Sequence, residues 1–205
     1  YDLEVANLEG TIRYENSSGL TSEQYTGVLF RQEGSGFIGS ELSRDSGEII
    51  INVIGEVDAS DIYSWSGQSL LSRMTGKSSY DTSVHIPFGE DAEPSYVQAT
   101  SDLAGVSIDM PYPIGKGAEE ERLLYYRQEF LQPGFQIDLA LGTAQASLLV
   151  HGGLVRGGVV HLGPNAPGRP QYDAVRVTGS FSKSDYEEWD QFFLDIEAIS
   201  DVSLE

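Results

Sequence analysis

The chain contains no cysteine and few basic residues, and each shortage excludes a class of function. Without cysteine there is no disulfide framework, no thiol nucleophile and no cysteine-ligated zinc or iron–sulfur site. The 12 Lys and Arg residues stand against 32 Asp and Glu residues, which gives a formal net charge of −20. Such a chain repels phosphate backbones, so we expect no nucleic acid among its partners.

Long apolar runs are also missing. No stretch approaches the roughly 20 apolar residues of a membrane-spanning helix, and no signal peptide is recognisable. Apolar residues nevertheless make up 40% of the chain and charged residues 21%, which is typical of a folded protein. Because the sequence starts at Tyr1 without an initiator Met, we expect it to be a segment of a longer protein.

Alternation of apolar and polar residues is the dominant pattern. It is clearest over residues 80–88 and 135–141, where every second side chain is apolar or aromatic with few exceptions. Side chains two residues apart lie on the same side of a strand, so each run predicts a strand with one apolar face. Weaker runs of the same kind cover residues 3–14, 24–30, 49–57, 97–110, 148–162 (as a hairpin) and 174–181. Short strands separated by tight turns favour antiparallel meanders.

Two segments of the chain resemble each other at an offset of 124 residues. Residues 53–65 align without gaps on residues 177–189, and each copy predicts a strand followed by a helix that carries a Trp. Ser60 and Ser184 are the predicted helix N-caps. We therefore expect two repeats, residues 1–76 and residues 77–205, each ending in a strand–helix corner, as in an elongated array.

The motifs that could carry chemistry are weak. Gly34, Gly36 and Gly39 match the spacing of a dinucleotide-binding loop, but no helix follows them, so we interpret the segment as a glycine-rich hairpin. His151 and His161 flank a predicted hairpin that could bring them together, yet no third residue has metal-ligand spacing. No nucleophile elbow, zinc-protease motif or phosphate loop is present. We predict no enzyme, no metal and no cofactor.

Three segments together resemble the YhdP branch of the AsmA-like proteins. Residues 102–116 read DLAGVSIDMPYPIGK, and residues 175–189 read VRVTGSFSKSDYEEW. The opening residues 3–14, followed by Gly19 and Leu20, resemble the entry of the same branch. The order and spacing of these segments hold over nearly the whole chain.

The resemblance implies a fold and a function. The implied fold is mainly β, with antiparallel meander sheets curled into an elongated groove (a β-taco of the repeating β-groove type) and two short helices at strand–helix corners. The implied protein is anchored in the inner membrane through parts outside this segment, lies in the periplasm, and passively conducts phospholipid between the inner and outer membranes. Its partners are then phospholipid acyl chains and neighbouring repeats of the same chain. The alternative is a structural or adhesin-like β-sandwich interaction module without a lipid groove.

The strand pattern predicts which side chains line such a groove. The expected lining is Val28, Phe30, Ile51, Val53, Tyr80, Val84, Ile86, Phe88, Phe135, Ile137, Leu139, Leu141, Val175 and Val177. Asp81, His85, Gln136 and Asp138 are expected on the side that faces water. Because each buried methylene contributes about 0.8 kcal/mol, two acyl chains of roughly 15 carbons could gain on the order of 20 kcal/mol without a headgroup pocket.

Overall fold

A computed structural model describes residues 4–163, 175–179, 187–189 and 191. In this part of the chain the fold is mainly β, with one large open sheet. The strands are β1 Val5–Glu9, β2 Ile12–Glu15, β3 Gly19–Ser22, β4 Tyr25–Leu29, β5 Gln32–Leu42, β6 Ser46–Asp58, β7 Met74–Gly89, β8 Tyr96–Ser101, β9 Val106–Ile108, β10 Leu124–Leu131, β11 Gly134–Leu141, β12 Ala144–His151, β13 Leu154–Leu162 and β14 Val175–Gly179. A helix, α1, spans Ala59–Ser66, and a 3-10 helix spans Ser69–Arg73.

Neighbours in sequence are mostly neighbours in the large sheet. The order is β1-β4-β5-β6-β7-β8-β10-β11-β12-β13-β14, with β9 paired to the extension of β7 beyond β8. All pairs are antiparallel except β13 and β14, which run parallel, so the sheet is mixed rather than purely a meander. The longest pairing joins β6 to β7, from Ser46 opposite Gly89 to Asp58 opposite Lys77.

The strand predictions over residues 49–57, 80–88 and 135–141 are confirmed, and three others need correction. The predicted run 3–14 is divided between β1, in the large sheet, and β2, in the β2–β3 hairpin. The predicted run 97–110 is interrupted after Ser101, because the Asp102 carboxylate accepts a hydrogen bond from the Ala104 N–H and turns the chain there. The predicted glycine-rich hairpin at residues 34–39 lies within a single strand, β5, which pairs with both β4 and β6.

The first strand–helix corner forms where the repeat predicts it, but its helix begins earlier. Asp58, rather than Ser60, is the N-cap, since its side chain accepts a hydrogen bond of 2.8 Å from the Ser60 N–H. Hydrogen bonds from the Ser60 hydroxyl and from the Ser60 N–H lower the pKa of the Asp58 carboxyl. Gly67 ends the helix in the left-handed region, at φ 64°. In the second corner, Ser184 lies outside the described residues.

No sheet of comparable size covers the large one in the described part of the chain. The second sheet is the hairpin β2–β3, which lies against β5 through the Ser40 hydroxyl and the backbone of Leu20. Within the described residues, the large sheet is therefore a thinly covered layer rather than half of a closed sandwich.

The boundary predicted between residues 76 and 77 falls inside β7. The strands on either side of it, β6 and β8, both pair with β7 in the same sheet. The division into two repeats stays a prediction.

Candidate functional site

The register of the large sheet separates its side chains into two faces of different chemistry. Directly opposed residues of neighbouring strands point to the same side, so a row can be followed from strand to strand. One row joins Ile38, Ile51, Val84, Val97, Gln128, Ile137 and Leu148. At the described paired positions, this side carries no Asp, Glu, Lys or Arg. We call it the uncharged face and the opposite side the charged face.

Most of the predicted lining lies on the uncharged face. Its members there are Ile51, Val53, Tyr80, Val84, Ile86, Phe88, Phe135, Ile137, Leu139, Leu141 and Val175. Val177 stands opposite Val160 in the register, and its side chain is outside the described part. Their role in binding stays a prediction, but the register brings them onto one continuous surface.

Val28 and Phe30 are not on this surface. Val28 stands opposite Glu33 on the charged face, because the alternation of β4 turns Tyr25 and Leu29 to the uncharged side instead. Phe30 follows the end of β4 at φ 50° and packs edge-on against Trp65, with ring centroids 5.8 Å apart. The face of Val28 could not be assigned without the register of β5, and that of Phe30 could not be assigned without knowing where β4 ends.

Two tyrosines lie flat on the uncharged face, over glycines of β5 and β6. At Gly36 a Cβ would lie 1.9 Å from the Asn52 carbonyl oxygen, and Tyr25 donates a hydrogen bond of 2.6 Å to that same oxygen. At Gly55 a Cβ would lie 2.9 Å from the Tyr80 hydroxyl oxygen. Burial raises the pKa of Tyr25 and Tyr80. Gly36, one of the dinucleotide-like glycines, and Gly55 thus make room for aromatic rings on an apolar surface.

One end of the uncharged face is covered by residues 102–123, which we call the cap. Leu103, Val106 and Ile108 of the cap form a buried cluster with Leu141 of β11, and Leu124 of β10 packs against it. Leu124 and Leu141 stand opposite each other on the uncharged face. The cap therefore closes the edge of the face at which β10 begins and β11 ends.

Two basic side chains hold the cap together. The buried Lys116 ammonium donates to the carbonyl oxygen of Leu103 at 2.9 Å and also to that of Val106, and burial lowers its pKa. Arg122 donates to the Pro113 carbonyl oxygen at 2.6 Å and to the Ile114 carbonyl oxygen at 3.0 Å. Residues 102–116, which carry the family resemblance, are thus a structural element rather than a reaction centre.

The opposite end of the uncharged face is open. There the exposed fractions of Ile86, Phe88 and Phe130 are 37%, 42% and 47%. The loops at this end are residues 43–45 between β5 and β6 and residues 90–95 between β7 and β8. Apolar side chains that would be buried in a closed core are accessible here.

The charged face is a network of mutually bonded polar side chains. Asn52 donates to Asp81 at 2.6 Å, and Ser147 donates to Asp138 at 2.5 Å. The Arg127 guanidinium lies 3.6 Å from the centre of the Tyr96 ring and bonds to Glu129 at 3.3 Å. Asp81, His85, Gln136 and Asp138 all lie on this face, as the alternation predicts.

His85 is not simply turned to water. It is buried, stacks on Tyr96 at 4.2 Å, and bonds through Nδ1 to Glu48 at 3.1 Å. Because a carboxylate only accepts, Nδ1 carries a proton, and in the neutral ring Nε2 accepts from the Ser83 hydroxyl at 2.9 Å. Sequence reasoning did not identify this chain of hydrogen bonds from the Ser83 hydroxyl through the His85 imidazole to the Glu48 carboxylate. A catalytic triad also needs backbone N–H groups that can stabilise an oxyanion. Strand β7 is paired on both sides, so its backbone N–H groups are engaged in the hydrogen bonds of the sheet. We therefore assign the bonds of His85 a structural role.

The two histidines of the predicted β12–β13 hairpin do not approach each other. His151 stands opposite Leu154 beside the turn, whereas His161 stands opposite Gln145 at the other end of the pair. His161 instead bonds to Thr178 of β14 at 2.8 Å. Among the described residues, no group of three potential ligands is placed to hold a metal ion.

Sequence reasoning also missed part of the uncharged face. Strand β10 places Leu124, Tyr126 and Phe130 there, but apolar residues on its charged side, such as Leu131, blur the alternation. Burial raises the pKa of Tyr126, whose hydroxyl donates to Gln128 at 2.6 Å.

Across the described helices, none is long and apolar enough to cross a membrane.

Comparison with known proteins identifies a family. No curated protein and no solved structure matches the chain. A family model described as "YhdP protein" matches residues 1–203, which is nearly the full length of the chain. The chain is a member of the YhdP family.

Proposed function

We propose that this chain is a segment of a periplasm-spanning protein that passively conducts phospholipid between the inner and outer membranes along its uncharged face. The observation that carries the proposal is the continuous apolar surface of a thinly covered sheet. Apolar surface of this extent needs a cover, and acyl chains are a cover that requires no matching polar groups. Membership of the YhdP family supports the same reading.

The dimensions of the sheet suit acyl chains that move across the strands. Eleven strands lie on the main path of the sheet, and at about 4.8 Å between strands they span about 48 Å. A bilayer core of about 30 Å implies acyl chains of about 15 Å, so one lipid covers only part of the path. With no charged group on the face, no single position holds the lipid strongly, which suits passive sliding.

Periplasmic location, an inner-membrane anchor outside the segment and contact with neighbouring repeats belong to the same proposal. The outer strands of the described sheet are β1 and β14, and the outer edges of such strands are where further strands could pair. No step of this transport is chemical, so the proposal assigns no catalytic residue.

Native mass spectrometry of the gently extracted chain tests the proposal. We expect mass increments of one or more phospholipids, and we expect the delipidated chain to take up a pyrene-labelled phospholipid from vesicles. A chain that is recovered free of lipid and takes up none from vesicles would contradict the proposal. It would favour the interaction-module alternative, in which the apolar face is covered by protein.

A further inference from the structure

We propose that the lipid carried on the uncharged face has a zwitterionic headgroup with a cationic amine, rather than a net anionic one. The inference rests on the proposed function and names its substrate class. It follows from where the described charges lie relative to the two ends of the uncharged face.

The cap determines where a headgroup must lie. Leu103, Val106 and Ile108 occupy the end of the face beside Leu124 and Leu141, so that end is filled by protein. A phospholipid whose chains lie on the uncharged face must place its polar headgroup at the open end, beside Ile86, Phe88 and Phe130. A headgroup at the capped end would have to displace buried apolar side chains.

The loops of the open end carry mostly negative charge. Arg44 and Asp45 lie between β5 and β6, and Glu90, Asp91 and Glu93 lie between β7 and β8. Two further turns at this end, residues 132–133 and 152–153, carry no charged residue, and the turn of the β2–β3 hairpin, which lies beside Leu42, adds Glu15. A net anionic headgroup would therefore meet repulsion, whereas the ammonium of a zwitterionic headgroup would meet attraction.

Arg44 offsets one of these carboxylates, and four further described cations are placed elsewhere. Arg127 lies on the charged face, on the Tyr96 ring and beside Glu129. Lys116 and Arg122 are bound to backbone carbonyl oxygens within the cap, at the wrong end of the face. Arg156 is exposed on β13, at the register shift near Val155, several strands away from the acidic loops. At its described paired positions, the uncharged face offers no counter-charge for a net anionic headgroup.

Binding of two phospholipids with identical acyl chains tests the inference. The probes are phosphatidylethanolamine and phosphatidylglycerol, titrated on the delipidated chain with a chelator present to remove divalent ions. At low ionic strength we expect about tenfold tighter binding of phosphatidylethanolamine, because three or four acidic groups act within roughly a Debye length. At physiological ionic strength we expect about threefold, and in 0.5 M salt little preference.

A charge-reversal variant and its control sharpen the test. The triple variant E90K, D91K and E93K should abolish or reverse the preference, whereas E119K and E121K, in the cap, should leave it unchanged. Equal affinities at low salt, a preference for phosphatidylglycerol, or a preference unaffected by salt or by the triple variant would overturn the inference and leave the proposed function standing. Failure to bind either lipid would overturn the proposed function instead.

Discussion

Replacing Leu139 with aspartate places a carboxylate in the middle of the uncharged face, between Tyr126 and Ala146. Leu139 is only partly buried, so the lost burial costs about 1–2 kcal/mol of folding free energy. The poor strand propensity of aspartate adds up to about 1 kcal/mol. The carboxylate stays hydrated in the absence of lipid, so we expect a folded variant with a Tm lowered by about 5–10 °C.

The same substitution should strongly weaken lipid binding. An acyl chain that crosses position 139 would have to desolvate the carboxylate or lose contact with about three methylenes, at about 0.8 kcal/mol each. A loss of about 2–3 kcal/mol corresponds to a decrease in affinity of roughly 30- to 150-fold. The assay is titration with pyrene-labelled phospholipid, combined with thermal unfolding followed by circular dichroism.

Ala140 provides the matched control. It is the next residue of β11 and stands opposite Tyr125 and Gln145 on the charged face. Ala140→Asp adds the same charge to the same strand, and we expect lipid affinity within about twofold of the parent chain. If Leu139→Asp unfolds the chain cooperatively, as a charge in a tightly packed core would, the reasoning is wrong and Leu139 belongs to a closed interior. Equal effects of the two variants on lipid affinity would also refute it.

Three further predictions follow from the tyrosines, the glycines and the cap. Gly36→Ala should lower the free energy of unfolding by several kcal/mol, since its Cβ would lie 1.9 Å from a backbone oxygen, whereas Gly39→Ala, with no atom within 4 Å, should be nearly neutral in denaturant titrations. Burial raises the pKa of Tyr80 above the ordinary value of a tyrosine, which is about 10, so stability present below that pH should decrease as the pH rises through the folded-state pKa. Tyr80→Phe should reduce that loss in pH-dependent unfolding. Lys116→Met leaves carbonyl oxygens of the cap without a donor and should cost about 1–3 kcal/mol, with faster amide hydrogen exchange over residues 102–116.

Each of these predictions has an outcome that would contradict it. Equal stabilities of the two glycine variants would show that β5 and Tyr25 do not pack as described. The parent chain and Tyr80→Phe could lose the same free energy of unfolding above about pH 10. That result would contradict the burial of the Tyr80 hydroxyl. For the cap, Lys77→Met is the control, since that exposed ammonium bonds to Gln32 at 2.9 Å on the surface. Equal amide exchange rates over residues 102–116 in the two lysine variants would contradict the claim that Lys116 stabilises the cap.

The uncharged face was largely predictable because strand alternation is a local property. In β7 and β11, residues of the uncharged face alternate with residues of the charged face. The two faces of residues 80–88 and 135–141 can therefore be distinguished without knowledge of the neighbouring strands. Val28 was misplaced because a face assignment depends on the neighbouring strand's register. Phe30 was misplaced because the pattern does not show that the chain turns after Leu29.

The cap and the charged-face network could not be predicted from local patterns. Lys116 reads as an ordinary surface lysine, and only the fold of residues 102–123 brings the carbonyl oxygens of Leu103 and Val106 to its ammonium. Glu48 and His85 are 37 residues apart and meet through the diagonal pairing of β6 and β7. Such contacts depend on long-range register, which spacing along the chain does not encode.

The central claim is that phospholipid lies on the uncharged face, and site-specific photo-crosslinking along β11 tests it most directly. A benzoylphenylalanine residue would replace each position from 135 to 140 in turn, in lipid-loaded chain, and lipid adducts would be measured by mass spectrometry after irradiation. We predict adducts at Phe135, Ile137 and Leu139 and none above background at Gln136, Asp138 and Ala140, because these two sets lie on opposite faces of the sheet. Adducts without this alternation, or only on the charged face, would contradict the account.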